Sequence, residues 1–94
     1  MKPRSSIHET FCKRLKQARL AKGFSQKSLG IAAGIDEFVA STRINRYEKG
    51  IHEADFNTIQ RLAEALEVPA AYLFAEDEVA SIFLKILPPG DIKG

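Results

Sequence analysis

The stretch Gly23-Phe24-Ser25-Gln26-Lys27-Ser28-Leu29-Gly30-Ile31-Ala32-Ala33-Gly34, with Ile44-Asn45-Arg46-Tyr47-Glu48-Lys49-Gly50 after it, decides the fold. Gly23 suits the left-handed residue that closes one helix, and Ser25 suits the N-cap that opens the next. A short helix from Gln26 to Ala33 is then anchored by Leu29 and by Ala32 or Ala33, and Gly34 closes it. Beyond Gly34 a turn leads into a third helix that ends near Lys49-Gly50. Ile44 and Tyr47, three residues apart, form its inward face.

Upstream, Ser6 and Glu9 have the spacing of a capping box and open a first helix that runs to about Lys22. Phe11, Leu15 and Ala18 share one face of it, while Lys13, Lys16 and Gln17 lie elsewhere. Downstream, Asp55 caps a fourth helix with an apolar stripe of Phe56, Ile59, Leu62, Ala63 and Leu66. Val68-Pro69 breaks it, and Pro69 suits the first turn of a short fifth helix bearing Tyr72, Leu73 and Phe74. Asp77 caps a sixth helix from Glu78 to Leu87, which Pro88-Pro89 stops. No internal repeat, low-complexity tract or alternating β pattern interrupts this order. The expectation is an all-α chain: an N-terminal arm at 1–6, a five-helix domain at 7–75, a C-terminal helix at 76–88 and a tail at 89–94.

The chain of 94 residues suffices for one domain with a modest core. No apolar run approaches the roughly 20 residues that span a bilayer, so no membrane partner is expected. Met1 to Ser6 lacks an apolar signal core, and Cys12 is the single cysteine. No intramolecular disulfide can form, and the cytoplasm is the expected setting. The net charge of +2 conceals an asymmetry. Met1 to His52 carries 11 Lys and Arg against 4 Asp and Glu, net +7, whereas Glu53 to Gly94 carries 3 against 8, net −5. The basic end would attract a polyanion and the acidic end would face away from it. Uneven charge also arises by chance, so this feature nominates nucleic acid without proving it.

Two short helices joined at Gly34, with a helix on either side, form the arrangement of a helix-turn-helix. From about Phe11 to Phe74 the chain resembles the Cro/C1 (XRE-type) helix-turn-helix domain of phage repressors and bacterial regulators. The resemblance is carried by Leu15, Arg19, Gly23-Phe24-Ser25-Gln26, Leu29, Gly34, Ile44, Arg46-Tyr47-Glu48, Gly50, Leu62-Ala63, Leu66, Val68 and Tyr72-Leu73. It implies a compact five-helix, phage-repressor-like domain, with the predicted sixth helix added at the C-terminus. It also implies sequence-specific binding of double-stranded DNA, the third helix lying in the major groove. Arg19 and Glu48 would form an ion pair clamping the first and third helices. Gln26 would bridge a phosphate and the recognition helix, at a helix start whose N–H groups and dipole favour an anion. Lys49, Gly50 and His52 would follow the sugar-phosphate backbone, with Lys49 the safest phosphate contact.

Aligned on Ile44 and Glu48, the outward candidates are Ser41, Thr42, Arg43 and Arg46. Arginine can grip guanine O6 and N7 with two hydrogen bonds, and serine or threonine can reach several base edges or a thymine methyl. Arg43 is assigned to a base and Arg46 to phosphate, where it would position without specifying. Lys27 and Lys22 are further candidates for phosphate.

The chain departs from the family between the turn glycine and the Tyr-Glu pair. Ile35-Asp36-Glu37-Phe38-Val39-Ala40 adds about four residues, close to one helical turn. Either Asp36 caps a recognition helix one turn longer, or the turn is an enlarged loop with Phe38 and Val39 tucked into the core. The first is preferred, because a full turn keeps the same face inward. Gly30 replaces the usual alanine and permits close approach, Ile31 takes a normally polar place, and Ala54 replaces a loop proline.

In the last helix Val79, Ile82, Phe83 and Ile86 make one stripe, and Leu84 and Leu87 extend it to a second side. Such a helix needs a second surface. It folds back over the first and fifth helices, forms a homodimer contact through Ile82, Leu84 and Leu87, or meets a different protein partner. A dimer would suit a palindromic operator. An enzyme is not expected: His8 and Cys12 stand four apart without a third ligand, and no nucleophile–base pair or Gly-rich phosphate loop is present. Neither a metal nor a cofactor is expected. The alternative function is an antitoxin or adaptor-type helix-turn-helix protein acting mainly through a protein partner.

Overall fold

Ser6, Ser25 and Asp55 each open a helix with their own side chain, which fixes where the chain turns. The computed structural model describes residues 6–86, with side chains to residue 82. Ser6 Oγ accepts the Glu9 N–H at 3.0 Å and Glu9 Oε1 accepts the Ser6 N–H at 3.2 Å, starting α1 (Ile7–Ala21). Ser25 and Ser28 exchange the same two bonds at 2.9 Å, starting α2 (Gln26–Ala32). Asp55 Oδ1 accepts the Thr58 N–H at 2.8 Å and starts α4 (Phe56–Leu66). Between them α3 (Ala40–Lys49) ends at Gly50, whose φ of 75° is the left-handed closure that glycine adopts without strain. A 3-10 segment (Ala70–Phe74) and α5 (Asp77–Ile86) complete the described chain, which is all-α.

One core joins these elements. Phe11, Leu15 and Ala18 of α1 meet Leu29 of α2, Ile44 and Tyr47 of α3, Leu62, Ala63 and Leu66 of α4, and Tyr72 and Leu73. The α2–α3 crossing is close. A Cβ added at Gly30 would stand 2.6 Å from Ala40 Cβ and 3.0 Å from the Ala40 backbone. The glycine at this position is therefore a consequence of close approach.

The residues after Gly34 correct both expectations for the turn. Asp36 does not cap a longer helix: α3 begins only at Ala40, with Val39 as an N-cap that offers no side-chain bond. The turn is enlarged, yet Phe38 and Val39 are not tucked inside; Phe38 is 87% exposed and Val39 41%. Asp36 bends the chain instead. Its Oδ2 accepts the Phe38 N–H at 3.0 Å and its carbonyl accepts the Val39 N–H at 3.0 Å. This is the local turn that aspartate favours in competition with helix capping. Phe38→Ala should accordingly change the unfolding free energy by less than about 0.5 kcal/mol in a denaturant titration, as at other exposed sites. A cost above about 2 kcal/mol would place the ring in the core.

Two smaller expectations are also revised. Phe56 is 89% exposed although Thr58 in the same first turn of α4 is buried, because six residues before Leu62 it stands about 120° around the helix from it, at the margin of the apolar stripe. Pro69 precedes the fifth predicted helix as its N-cap, and that element is a 3-10 segment. Ile31 is exposed, as its unusual position suggested.

The start of α5 is fixed by a residue the sequence reading passed over. Arg14 is only 2% exposed. It donates through Nε to the Ala75 carbonyl at 2.8 Å, through Nη1 to Gln17 at 2.9 Å and through Nη2 to Asp77 Oδ1 at 2.8 Å. Lys13 donates to the same Asp77 oxygen at 2.9 Å. Asp77 thus ties α5 to α1 through these two donors, and Ala80 is buried against the core. The bonds from Arg14 and Lys13 pull the Asp77 carboxyl from 3.8 to about 2. A carboxyl depressed in the fold stabilises it above the ordinary carboxylate pKa, and that contribution is lost as pH falls towards 2. Between about pH 4 and pH 2 the wild type should therefore lose more thermal stability than Asp77→Asn. Parallel melting curves would contradict this anchor.

Candidate nucleic-acid interface

The orientation of α3 follows from its anchors. Ala40, Ile44 and Tyr47 are buried, so at about 100° per residue the opposite face carries Thr42, Asn45, Arg46 and Lys49. Thr42, Arg46 and Lys49 are exposed and Asn45 is half-buried. Ser41 and Arg43 are exposed on the two flanks. The Ser41 flank lies on the side of Glu48, towards α2. The Arg43 flank lies towards α4, where Arg43 lines a recess with Tyr47, Ile51, His52, Glu53, Asp55 and Thr58. The Asp55 carboxyl in that recess is held below its ordinary pKa, chiefly by its hydrogen bonds with Thr58, with Arg61 and Arg43 adding favourable charge. Lys27 on α2 and His52 in the α3–α4 loop are also exposed. Lys22 differs from them, being half-buried and paired with Glu67.

Glu48 holds this helix in place. Arg19 Nε lies 2.6 Å from Glu48 Oε2 and Arg19 Nη2 donates to Oε1 at 3.2 Å, with the side chains 10% and 3% exposed. Arg19 Nη1 donates to the Phe24 carbonyl at 3.1 Å. Gln26 Nε2 donates to Glu48 Oε1 at 3.1 Å, a contact that spacing alone could not reveal. One carboxylate therefore connects the end of α1, the start of α2 and the end of α3. Arg61 adds a second brace, its Nε donating at 3.0 Å to the Ala33 carbonyl at the end of α2.

His8 and Cys12 lie beside Gly50, and His8 Nδ1 is 3.4 Å from Glu53. Burial raises the Cys12 thiol pKa. Among the described residues no group of three His, Cys, Asp or Glu side chains gathers to hold a metal, and no helix is long and apolar enough to cross a membrane.

Residues 15–73 match a family model described as helix-turn-helix. The chain is 33% identical over 72 residues to a protein of Sinorhizobium fredii (strain NBRC 101917 / NGR234) named the uncharacterized HTH-type transcriptional regulator y4aM. That match takes in 74% of this chain and 48% of the relative, so the chain spans about half the length of the curated protein it matches. The crystal structure of the transcriptional regulator BswR superposes with a TM-score of 0.76 at 48% identity, over 83% of this chain and 80% of that one. The matched segment contains α2, α3 and the residues that brace them, and on this footing the chain belongs to the XRE-type helix-turn-helix family.

Proposed function

We propose that this protein is a sequence-specific transcriptional regulator that binds double-stranded DNA with α3 in the major groove. One observation carries the reading: a polar and basic face of α3 is left open to solvent while the opposite face is buried through Ala40, Ile44 and Tyr47 and one flank is held by Glu48 to Arg19 and Gln26. A rigid helix with free donors is what base recognition requires. Thr42 and Arg46 face the bases, with Ser41 at their edge. Lys49, Lys27, Arg43 and His52 contact phosphates along the two sides of the groove. Gln26, held by Glu48, presents the start of α2 to a phosphate. Arg46 and Arg43 thereby exchange the roles that sequence reading gave them, because Arg43 lies on the flank near Asp55.

The protein acts in the cytoplasm as a homodimer on a palindromic operator. Exposure of Val79 and Ile82 on α5 supports this contact. Leu84 and Leu87, the other residues assigned to it, lie outside the described side chains. Selection from a random duplex library tests the reading. Enriched sequences should contain an inverted repeat with half-sites about 34–36 Å apart, one DNA turn. Enrichment of nothing over the starting library would sink it.

A further inference from the structure

The outward line of α3 passes between Arg46 and a residue that the family comparison did not nominate. Opposite Ala40, Ile44 and Tyr47 stands Asn45, with Thr42 one turn before it and Lys49 one turn after. Arg43, the residue first assigned to a base, is displaced towards Asp55 and the α3–α4 loop. We propose that Asn45 is a specificity-determining residue that reads an adenine in the major groove, an inference that rests on the DNA-binding function proposed above.

Three observations support it. The asparagine amide presents one donor and one acceptor side by side, the pattern that complements adenine N7 and N6. Among the described residues no hydrogen bond engages the Asn45 side chain. Its neighbour one turn on, Glu48, already receives Arg19 and Gln26. Asn45 is also half-buried, unlike Arg43, so it has less freedom to lose on binding. Thr42 and Arg46 flank it and would contact the neighbouring base steps.

The test compares wild type, Asn45→Ala and Arg43→Ala on the duplex enriched by the wild type, with thermal melting to show that each variant is folded. Wild type should prefer adenine at one position by roughly 5- to 150-fold, the range of a good two-bond contact. Asn45→Ala should lose that preference while keeping its affinity for random DNA and its salt dependence. Replacing that adenine by 7-deazaadenine, which lacks N7, should weaken wild type and leave Asn45→Ala unchanged. An Asn45→Ala variant that retains every base preference overturns the assignment, as does loss of the adenine preference in Arg43→Ala instead. Either result would leave DNA binding itself intact. Absence of binding by the wild type would instead sink the proposed function.

Discussion

Arg19→Ala should lower the unfolding free energy by about 3–5 kcal/mol, the usual cost of removing one partner from a buried ion pair. The cost arises from the carboxylate left behind. Glu48 is 3% exposed and would keep only the Gln26 amide, while the Phe24 carbonyl would also lose its donor. A domain of this size has about 5–15 kcal/mol in total, so the variant should be marginal at room temperature. The pair need not be a large net stabiliser for this to hold, since desolvating two charges offsets much of their attraction. Removing the stranded charge with Glu48→Gln in the Arg19→Ala background should recover part of the loss. Urea titration of the single and double variants measures both effects. A single-variant cost below about 1 kcal/mol would mean that the pair behaves as an exposed surface bridge.

Gly30→Ala tests the α2–α3 crossing. In an open helix this change stabilises by about 0.5–1 kcal/mol, because alanine loses less backbone freedom. Here the added methyl would meet Ala40 Cβ at 2.6 Å and the Ala40 backbone at 3.0 Å. No flexible side chain can yield, so the start of α3 must shift. Overpacking of this kind costs about 1–3 kcal/mol, enough to reverse the helix preference. The variant should thus melt below the wild type and bind DNA more weakly, because the shifted element is the recognition helix. Melting at or above the wild-type temperature would show that the crossing is looser than described.

The comparison of sequence with structure separates local signals from distant ones. Ser6 with Glu9, Ser25 and Asp55 were legible because each cap bonds an N–H only three residues on. The outward face of α3 was largely legible because two buried anchors, Ile44 and Tyr47, set the phase of the remaining residues. Arg14 sits in phase with Phe11, Leu15 and Ala18, so a charge at an inward position was visible. Its partners at Ala75 and Asp77, 61 and 63 residues away, were not. The Arg19–Glu48 pair was reached through resemblance to a family rather than through spacing. Asp36 was misread because one carboxylate can serve a helix cap or a local turn, and the residues around it fit both. Phe56 shows a different limit: it stands at the margin of the α4 stripe, where apolar character alone does not tell an inward residue from an exposed one.

Whether the face of α3 binds duplex DNA is measured by titrating the whole chain against DNA at two salt concentrations. Labelled duplexes of random sequence and of the gene's own upstream region would be titrated at about 50 mM and 200 mM salt, where six to ten phosphate contacts would change affinity by about 10³–10⁵. With the Lys27, Arg43, Lys49 and His52 assignments correct, binding should be measurable on both duplexes at low salt. It should fall steeply with salt and persist longer on the upstream fragment. No binding to either duplex at the lower salt concentration would mean that α3 does not bind DNA.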